Sequence, residues 1–164
     1  MYNADFMRRA IEISAEALTT PGTEPFGAVI VKDGKIVGEG INRSLLNFDP
    51  TSHGETEAIR DACRALGTVD LAGAELYTSC EPCALCVAAM NIAGIGKLYY
   101  AASMEDAGAA FAGLTPAERH PIDADLLRAE CAAPVTARRM PAEQGMGAEA
   151  AGILRAWAAA RSAA

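Results

Sequence analysis

No apolar run in this 164-residue sequence approaches the roughly 20 residues that a membrane-spanning helix needs. Basic charge is also scarce. Fourteen Lys and Arg stand against 21 Asp and Glu, for a net charge of −7, and the tightest basic cluster is Arg138–Arg139. That balance argues against a protein whose main task is gripping a phosphate backbone, which needs clustered cations. The N-terminus does not read as a secretory signal either. Met1 to Ile13 carries Asp5, Arg8, Arg9 and Glu12 at close spacing and reads as an amphipathic helix, so a cytoplasmic protein is expected. The five cysteines are an odd number, which points away from a disulfide framework and towards metal or thiol chemistry. No internal repeat is present. What remains is a soluble, globular composition, 51% hydrophobic and 21% charged, long enough for one domain over 1–164 with a C-terminal helical extension from about 141.

The local pattern predicts alternating helices and strands. Asn3 can cap a first helix running to about Leu18, with Ile11, Ala15 and Leu18 as its stripe. Phe26 to Lys32 and Lys35 to Gly38 flank Asp33-Gly34, a strong hairpin signal. Ile41 to Pro50 reads as a loop, and His53 to Leu66 as a helix with Ala58, Ile59, Ala62 and Leu66 buried. Strands follow at Glu75 to Thr78 and Lys97 to Ala101, around a core helix from Cys83 to Ala93 that is apolar nearly all round. Further on come short helices at Met104 to Ala109 and Asp123 to Glu130, a strand near Val135 to Arg138, and a last helix from about Ala148 to Arg161. This order suggests a mixed sheet with helices on both faces.

Two short segments carry chemistry: His53-Gly54-Glu55 and Pro82-Cys83-Ala84-Leu85-Cys86. Cys83 and Cys86 stand at i and i+3 and share one helix face. Pro82 is placed to start that helix, whose positive end favours the thiolates that bind metal. His53 can add an imidazole, and two sulfurs with one nitrogen leave a tetrahedral position for water, as in catalytic zinc sites. Glu55 can then move that water's proton to a ring nitrogen and on to a departing amine. His-x-Glu followed by Pro-Cys-x-x-Cys is a known signature of zinc deaminases. Two blander readings stay open. Structural zinc needs a fourth protein ligand, for which Cys80, Cys63, Cys131 and His120 are candidates. A redox dithiol would leave His53 and Glu55 without a task. Cys63 and Cys131 read as small buried hydrophobes, and His120 as an ordinary loop histidine.

At these residues the chain resembles the cytidine deaminase superfamily and, within it, the guanine deaminase branch. Pro25-Phe26-Gly27-Ala28-Val29-Ile30-Val31 with the Asp33-Gly34 turn looks like the family's first hairpin. Asp49-Pro50-Thr51-Ser52-His53-Gly54-Glu55 resembles a segment of guanine deaminases and tRNA adenosine deaminases, Leu76-Tyr77-Thr78-Ser79-Cys80-Glu81-Pro82-Cys83 is close to the guanine deaminase form, and Ala156-Trp157 echoes that branch. The resemblance implies a three-layer α/β/α sandwich around a mixed five-stranded sheet, usually assembled as a homodimer. Carried over by position, it implies zinc on His53, Cys83 and Cys86, with Glu55 as the catalytic proton shuttle. It also implies substrate contacts from Asn42, the Gly54 amide, the Glu81 carbonyl and Phe26. Asn42 suits that task because its amide both donates and accepts, although it could equally be a plain turn residue.

Two departures bear on substrate. Gly54 replaces the commoner alanine, a form that also resembles yeast-type cytosine deaminase. The segment Asp106 to Leu114 lacks the acid that guanine deaminases carry near Ala112. Phe111 in that segment is a candidate to stack on a flat ring or simply to pack in the core. The expected function is hydrolytic deamination of a free nucleobase, guanine foremost, with cytosine or an amino-triazine or pterin-type ring as alternatives. RNA editing at a tRNA adenosine is disfavoured by the acidic balance and by a tail, Ala148 to Ala164, with only Arg155 and Arg161. A non-catalytic zinc module would leave Glu55 idle. Loops at Gly54, Pro116, Pro121 and Glu143 to Gly147 are expected to shape the pocket.

Overall fold

The computed structural model describes residues 1–120 and 122–162. Contacts divide the chain into two compact units, Met1–Leu127 and Arg128–Ala164. The first unit holds helix α1 (Ala4–Ala15), strands β1 (Glu24–Lys32) and β2 (Lys35–Asn42), a short α2 (Ser44–Asn47) and α3 (Gly54–Leu66). Strand β3 (Glu75–Cys80), helix α4 (Ala84–Ala93), strand β4 (Lys97–Ala102) and helix α5 (Met104–Phe111) follow. The boundary between units falls inside α6 (Ala124–Ala132).

The sheet order is β2-β1-β3-β4. Strand β1 runs antiparallel to both neighbours, and β3 pairs in parallel with β4 across α4. Strands β2, β3 and β4 therefore point the same way. Their carboxyl ends, Asn42, Cys80 and Ala102, reach the sheet edge where β1 begins at Glu24. That edge is where open α/β sheets place their ligands.

Helices cover both faces. On one, Met7, Ala10 and Ile13 of α1 bury against Val29, Val31, Ile41 and Tyr77. On the other, Ala58 and Ala62 of α3 and Met90 and Ala93 of α4 meet Ala28, Ile30 and Leu76. Asn3 caps α1 as expected, its side-chain oxygen accepting from the Asp5 amide at 2.9 Å. The buried stripe differs from the expected one. Ile11 and Leu18 are exposed, because Met7, Ala10 and Ile13 are the residues that face the sheet.

Asp33 and Gly34 both take positive φ, 51° and 72°, the type I′ geometry that matches strand twist. Strand β2 runs past Gly38 to Asn42, and α2 occupies part of the expected loop. Helix α3 lies directly on β2: a Cβ at Gly38 would meet the Ala62 backbone nitrogen at 2.5 Å, and one at Gly40 would collide with Gly54 O. This close approach brings the start of α3 beside the end of β2.

Three further expectations change. The described residues form four strands, not five. Val135–Ala137, the expected fifth strand, is a single 3-10 turn. Its backbone closes on itself: the Ala137 amide donates to Pro134 O at 2.8 Å. Helix α4 is buried on one side only, through Cys86, Met90 and Ala93, while Ile92 is 87% exposed. Finally, α4 starts at Ala84 with Cys83 as its N-cap, so Pro82 stands just outside it. The second unit ends in α7 (Gly147–Ser162), where Arg161 lies 3.9 Å from the Trp157 ring centroid.

Candidate active site

The two helices that start at the ligand-bearing edge deliver the metal donors. His53 is the N-cap of α3, Cys83 is the N-cap of α4, and Cys86 lies in the first turn of α4. Neither N-cap side chain makes a capping hydrogen bond, which leaves the imidazole and thiol free for another task. Both helix N-termini point their positive ends at the site and favour anionic sulfur there.

His53 Nδ1 lies 3.5 Å from Cys83 Sγ and 3.5 Å from Cys86 Sγ, and the two sulfurs are 3.8 Å apart. Zinc bonds of about 2.3 Å to sulfur and about 2.0 Å to nitrogen, at tetrahedral angles, require roughly 3.8 Å between sulfurs and roughly 3.5 Å from sulfur to nitrogen. The spacing fits the metal. Among the described residues this is the one cluster that can hold an ion, and it contains three donors. Cys80 stays outside it, with Sγ 3.8 Å from Ser103 O and its thiol pushed up to about 11 by burial. Cys63 packs beside the core, Cys131 is exposed, and His120 is exposed. No fourth protein ligand among the described residues closes the site, as a structural zinc would require.

The electrostatics suit a cation. Without one, the Cys86 thiol and the His53 ring hold Cys83 as a thiolate, lowering it to about 4. Cys86 is correspondingly pushed up, mainly by its neighbour Cys83 and by burial. The Cys83 contact also raises His53. A metal replaces these shared protons with bonds to all three donors.

Glu55, in the first turn of α3, is 5% exposed. Its Oε1 accepts from Thr78 Oγ1 at 3.3 Å and its Oε2 lies 3.3 Å from Cys86 Sγ. Burial raises the carboxyl above its usual range, the direction that increases its hold on a proton.

A cavity of about 200 Å³ opens over this group, lined by His53, Cys83 and Glu55 together with Asn42, Glu81, Phe26 and Phe111. Asn42 is both a turn residue and a wall residue. Its Oδ1 accepts from the Ser44 amide at 2.9 Å, leaving its amide nitrogen for a ligand. Glu81 spends a carboxylate oxygen on the Met104 amide at 3.0 Å. Phe26 and Phe111 meet edge to face with centroids 5.9 Å apart, and both border the cavity. Gly54 does not line it. This residue is packed against the Phe26 carbonyl, where a Cβ would collide. Pro116 is not on the wall either, and Pro121 lies outside the described residues.

Sequence reasoning missed three wall or support residues. Thr78 sits on a buried strand like any core threonine. Met104 stands at the expected start of α5, where nothing in the sequence marks it as a wall residue. Arg119 lies in a stretch without periodicity, yet it borders the cavity.

The chain is similar to known proteins over this whole region. The family model for the cytidine and deoxycytidylate deaminase zinc-binding region matches residues 2–102. Guanine deaminase of Bacillus subtilis (strain 168) is 44% identical over 110 residues, covering 67% of this chain and 70% of that one. A tRNA-specific adenosine deaminase of Agrobacterium fabrum (strain C58) is 40% identical over 109 residues, covering 66% and 71%. The X-ray structure of guanine deaminase from Bacillus subtilis superposes with a TM-score of 0.81 at 38% identity, covering 96% of this chain and 94% of that one. A structure from work on tRNA:A34 deaminases gives 0.58 at 37% identity, covering 74% and 90%.

Proposed function

Because the chain belongs to the cytidine and deoxycytidylate deaminase zinc-binding family, we propose that this zinc-dependent nucleobase deaminase acts on free guanine. The observation that carries this reading is the likeness to guanine deaminase, which extends over 96% of the chain. Cavity size supports it. About 200 Å³ is less than the roughly 300–1,000 Å³ of pockets that hold drug-sized ligands, and suits one bicyclic ring without a sugar phosphate. The net charge of −7 weighs against a tRNA substrate. A pterin-type ring shares guanine's amino-oxo edge and is the second candidate, favoured by the absence of an acid near Ala112.

His53, Cys83 and Cys86 would hold the zinc, which would supply Lewis acidity and lower the pKa of a water to about 7. Glu55 takes a proton from that water as its oxygen bonds to the amine-bearing ring carbon, and passes the proton to the adjacent ring nitrogen. As the C–N bond then breaks, the hydroxyl on that carbon gives up its proton, Glu55 carries it to the amine, ammonia leaves and a ring carbonyl remains. The burial of Glu55 next to the metal donors gives it the proton affinity for both transfers. Thr78 fixes Oε1 and so orients the working oxygen. Asn42 donates to the ring through its amide nitrogen, Glu81 contributes its backbone carbonyl, and Phe26 and Phe111 bound the flat faces.

A cytoplasmic homodimer belongs to the same proposal. Exposed Val87 and Ile92 on α4 and Tyr100 on β4 give a second copy an apolar face to bury. No helix among the described residues is long and apolar enough to cross a membrane. The test is ammonia release by zinc-loaded protein from guanine, pterin, cytosine, adenine and amino-triazines. Release from guanine above the others supports the reading, and release only from another ring replaces it.

A further inference from the structure

The wall of the cavity contains one Lys or Arg among its described residues, Arg119. Three independent features hold it there. Its guanidinium carbon lies 4.4 Å from the Phe111 ring centroid and 5.5 Å from that of Phe26, both within cation–π range. Its Nε is 3.3 Å from Glu24 Oε2, in an ion pair whose side chains are 21% and 15% exposed. Its backbone is fixed by a small turn in which the Arg119 amide donates to Thr115 O at 3.0 Å and Glu118 accepts from the Thr115 amide at 2.8 Å. Despite this support, the buried Nε has no hydrogen-bond partner. The Nε faces Glu24, so the terminal nitrogens of this stacked, largely buried guanidinium are the donors it can offer to a ligand in the cavity.

We propose that Arg119 is a specificity-determining residue that reads the carbonyl edge of the substrate, with Glu24 and the two phenylalanines as its positioning residues. This rests on the guanine reading and sharpens it. An arginine carries only donors, so the edge it meets must present acceptors. A guanine-type ring offers a carbonyl oxygen beside an unprotonated ring nitrogen, the pair that a guanidinium fork matches with two parallel hydrogen bonds. A 2-amino-4-oxopteridine offers the same pair. An adenine-type edge sets an amino donor beside the ring nitrogen and would put donor against donor. A cavity of this size leaves a bicyclic ring whose amine faces the metal donors little room to avoid the opposing walls. The selected class is therefore the bicyclic 2-amino-oxo heterocycle, chosen by its oxygen as well as by the amine that is removed.

The experiment measures the binding of guanine and of 2-aminopurine, which lacks the oxygen, to the zinc-loaded full chain by calorimetry. A Glu55→Gln background stops turnover during the measurement. Guanine is expected to bind more tightly, and adding Arg119→Met should shrink the guanine to 2-aminopurine affinity ratio by tenfold or more. Arg119→Lys keeps charge and stem but lacks the fork. It should lose most of the same ratio, and it serves as the readout if the Met variant loses zinc or its thermal transition. A guanine preference that survives both substitutions overturns the assignment and leaves the guanine reading intact. Binding of neither base, with ammonia released by the unsubstituted enzyme from another ring, overturns both.

Discussion

Thr78 donates its hydroxyl to Glu55 Oε1 at 3.3 Å, tying the carboxylate on α3 to the centre of the sheet. The other oxygen is left 3.3 Å from Cys86 Sγ, beside the metal donors. One strand residue thus decides which oxygen of the proposed proton shuttle is available. Thr78→Val should lower kcat by about tenfold or more, since a hydrogen bond to a charged group is worth about 1.5–3 kcal/mol. Zinc content should not change, and Thr78→Ser should recover most of the rate. Steady-state kinetics with metal analysis decides it.

Removing the proton shuttle should separate metal binding from chemistry. Glu55→Gln is expected to retain zinc at the stoichiometry of the unsubstituted chain while kcat falls by about 10²–10⁴-fold. Loss of zinc together with activity would instead give Glu55 a structural task.

Zinc affinity should fall as the medium becomes more acidic. Near neutral pH the metal-free site holds Cys83 as a thiolate, with its pKa lowered to about 4, while Cys86 keeps its proton and His53 is shifted towards its protonated form. Binding must expel the Cys86 proton and part of one from His53, so about one to two protons should be released per zinc. Calorimetry in buffers of different ionisation enthalpy measures that number. A value of zero would mean that the thiols are already ionised.

The Arg9–Glu39 pair should give a small, pH-dependent contribution to stability. Arg9 Nε and one terminal nitrogen each meet a Glu39 oxygen at 2.7 Å, joining α1 to β2. The Arg9 contact lowers the Glu39 carboxyl, so the stabilisation is present above the ordinary glutamate range and is lost as pH falls through the lower folded value. Glu39 is 36% exposed and screened by solvent, which limits the pair to about 1 kcal/mol or less. Arg9→Met should lower the melting temperature at pH 7, and the difference should shrink as pH falls below the ordinary glutamate range.

Gly40→Ala tests the seat of α3. The added carbon would press on the α3 backbone at Gly54 and Ala58, displacing the helix that carries His53 and Glu55. Overpacking of this kind typically costs about 1–3 kcal/mol. Zinc affinity should fall together with the melting temperature.

The metal group was legible in the sequence because its chemistry fixes residue types at short spacings: Cys83 and Cys86 one turn apart, His53 and Glu55 two apart. The hairpin was legible because only a few residues tolerate the positive φ of Asp33 and Gly34. Long-range facts were not. Which side of α1 is buried depends on where the sheet lies, and the choice of Ile11 over Ile13 failed for that reason. Val135 to Arg138 has a strand-like composition, but the Ala137 amide turns back to Pro134 O at 2.8 Å, which closes a turn in place of a strand pairing. The apolar composition of α4 hid the fact that one face stays exposed. Arg119 is 64 residues from Glu55 in sequence, and only the folded chain brings both to one cavity.

The most direct test is to follow guanine and ammonia together in zinc-loaded protein, with Glu55→Gln as control. The account expects one xanthine and one ammonia for each guanine consumed, and almost none from the control. Zinc bound at one per chain with no ammonia from guanine, or equal release by the control, would contradict it.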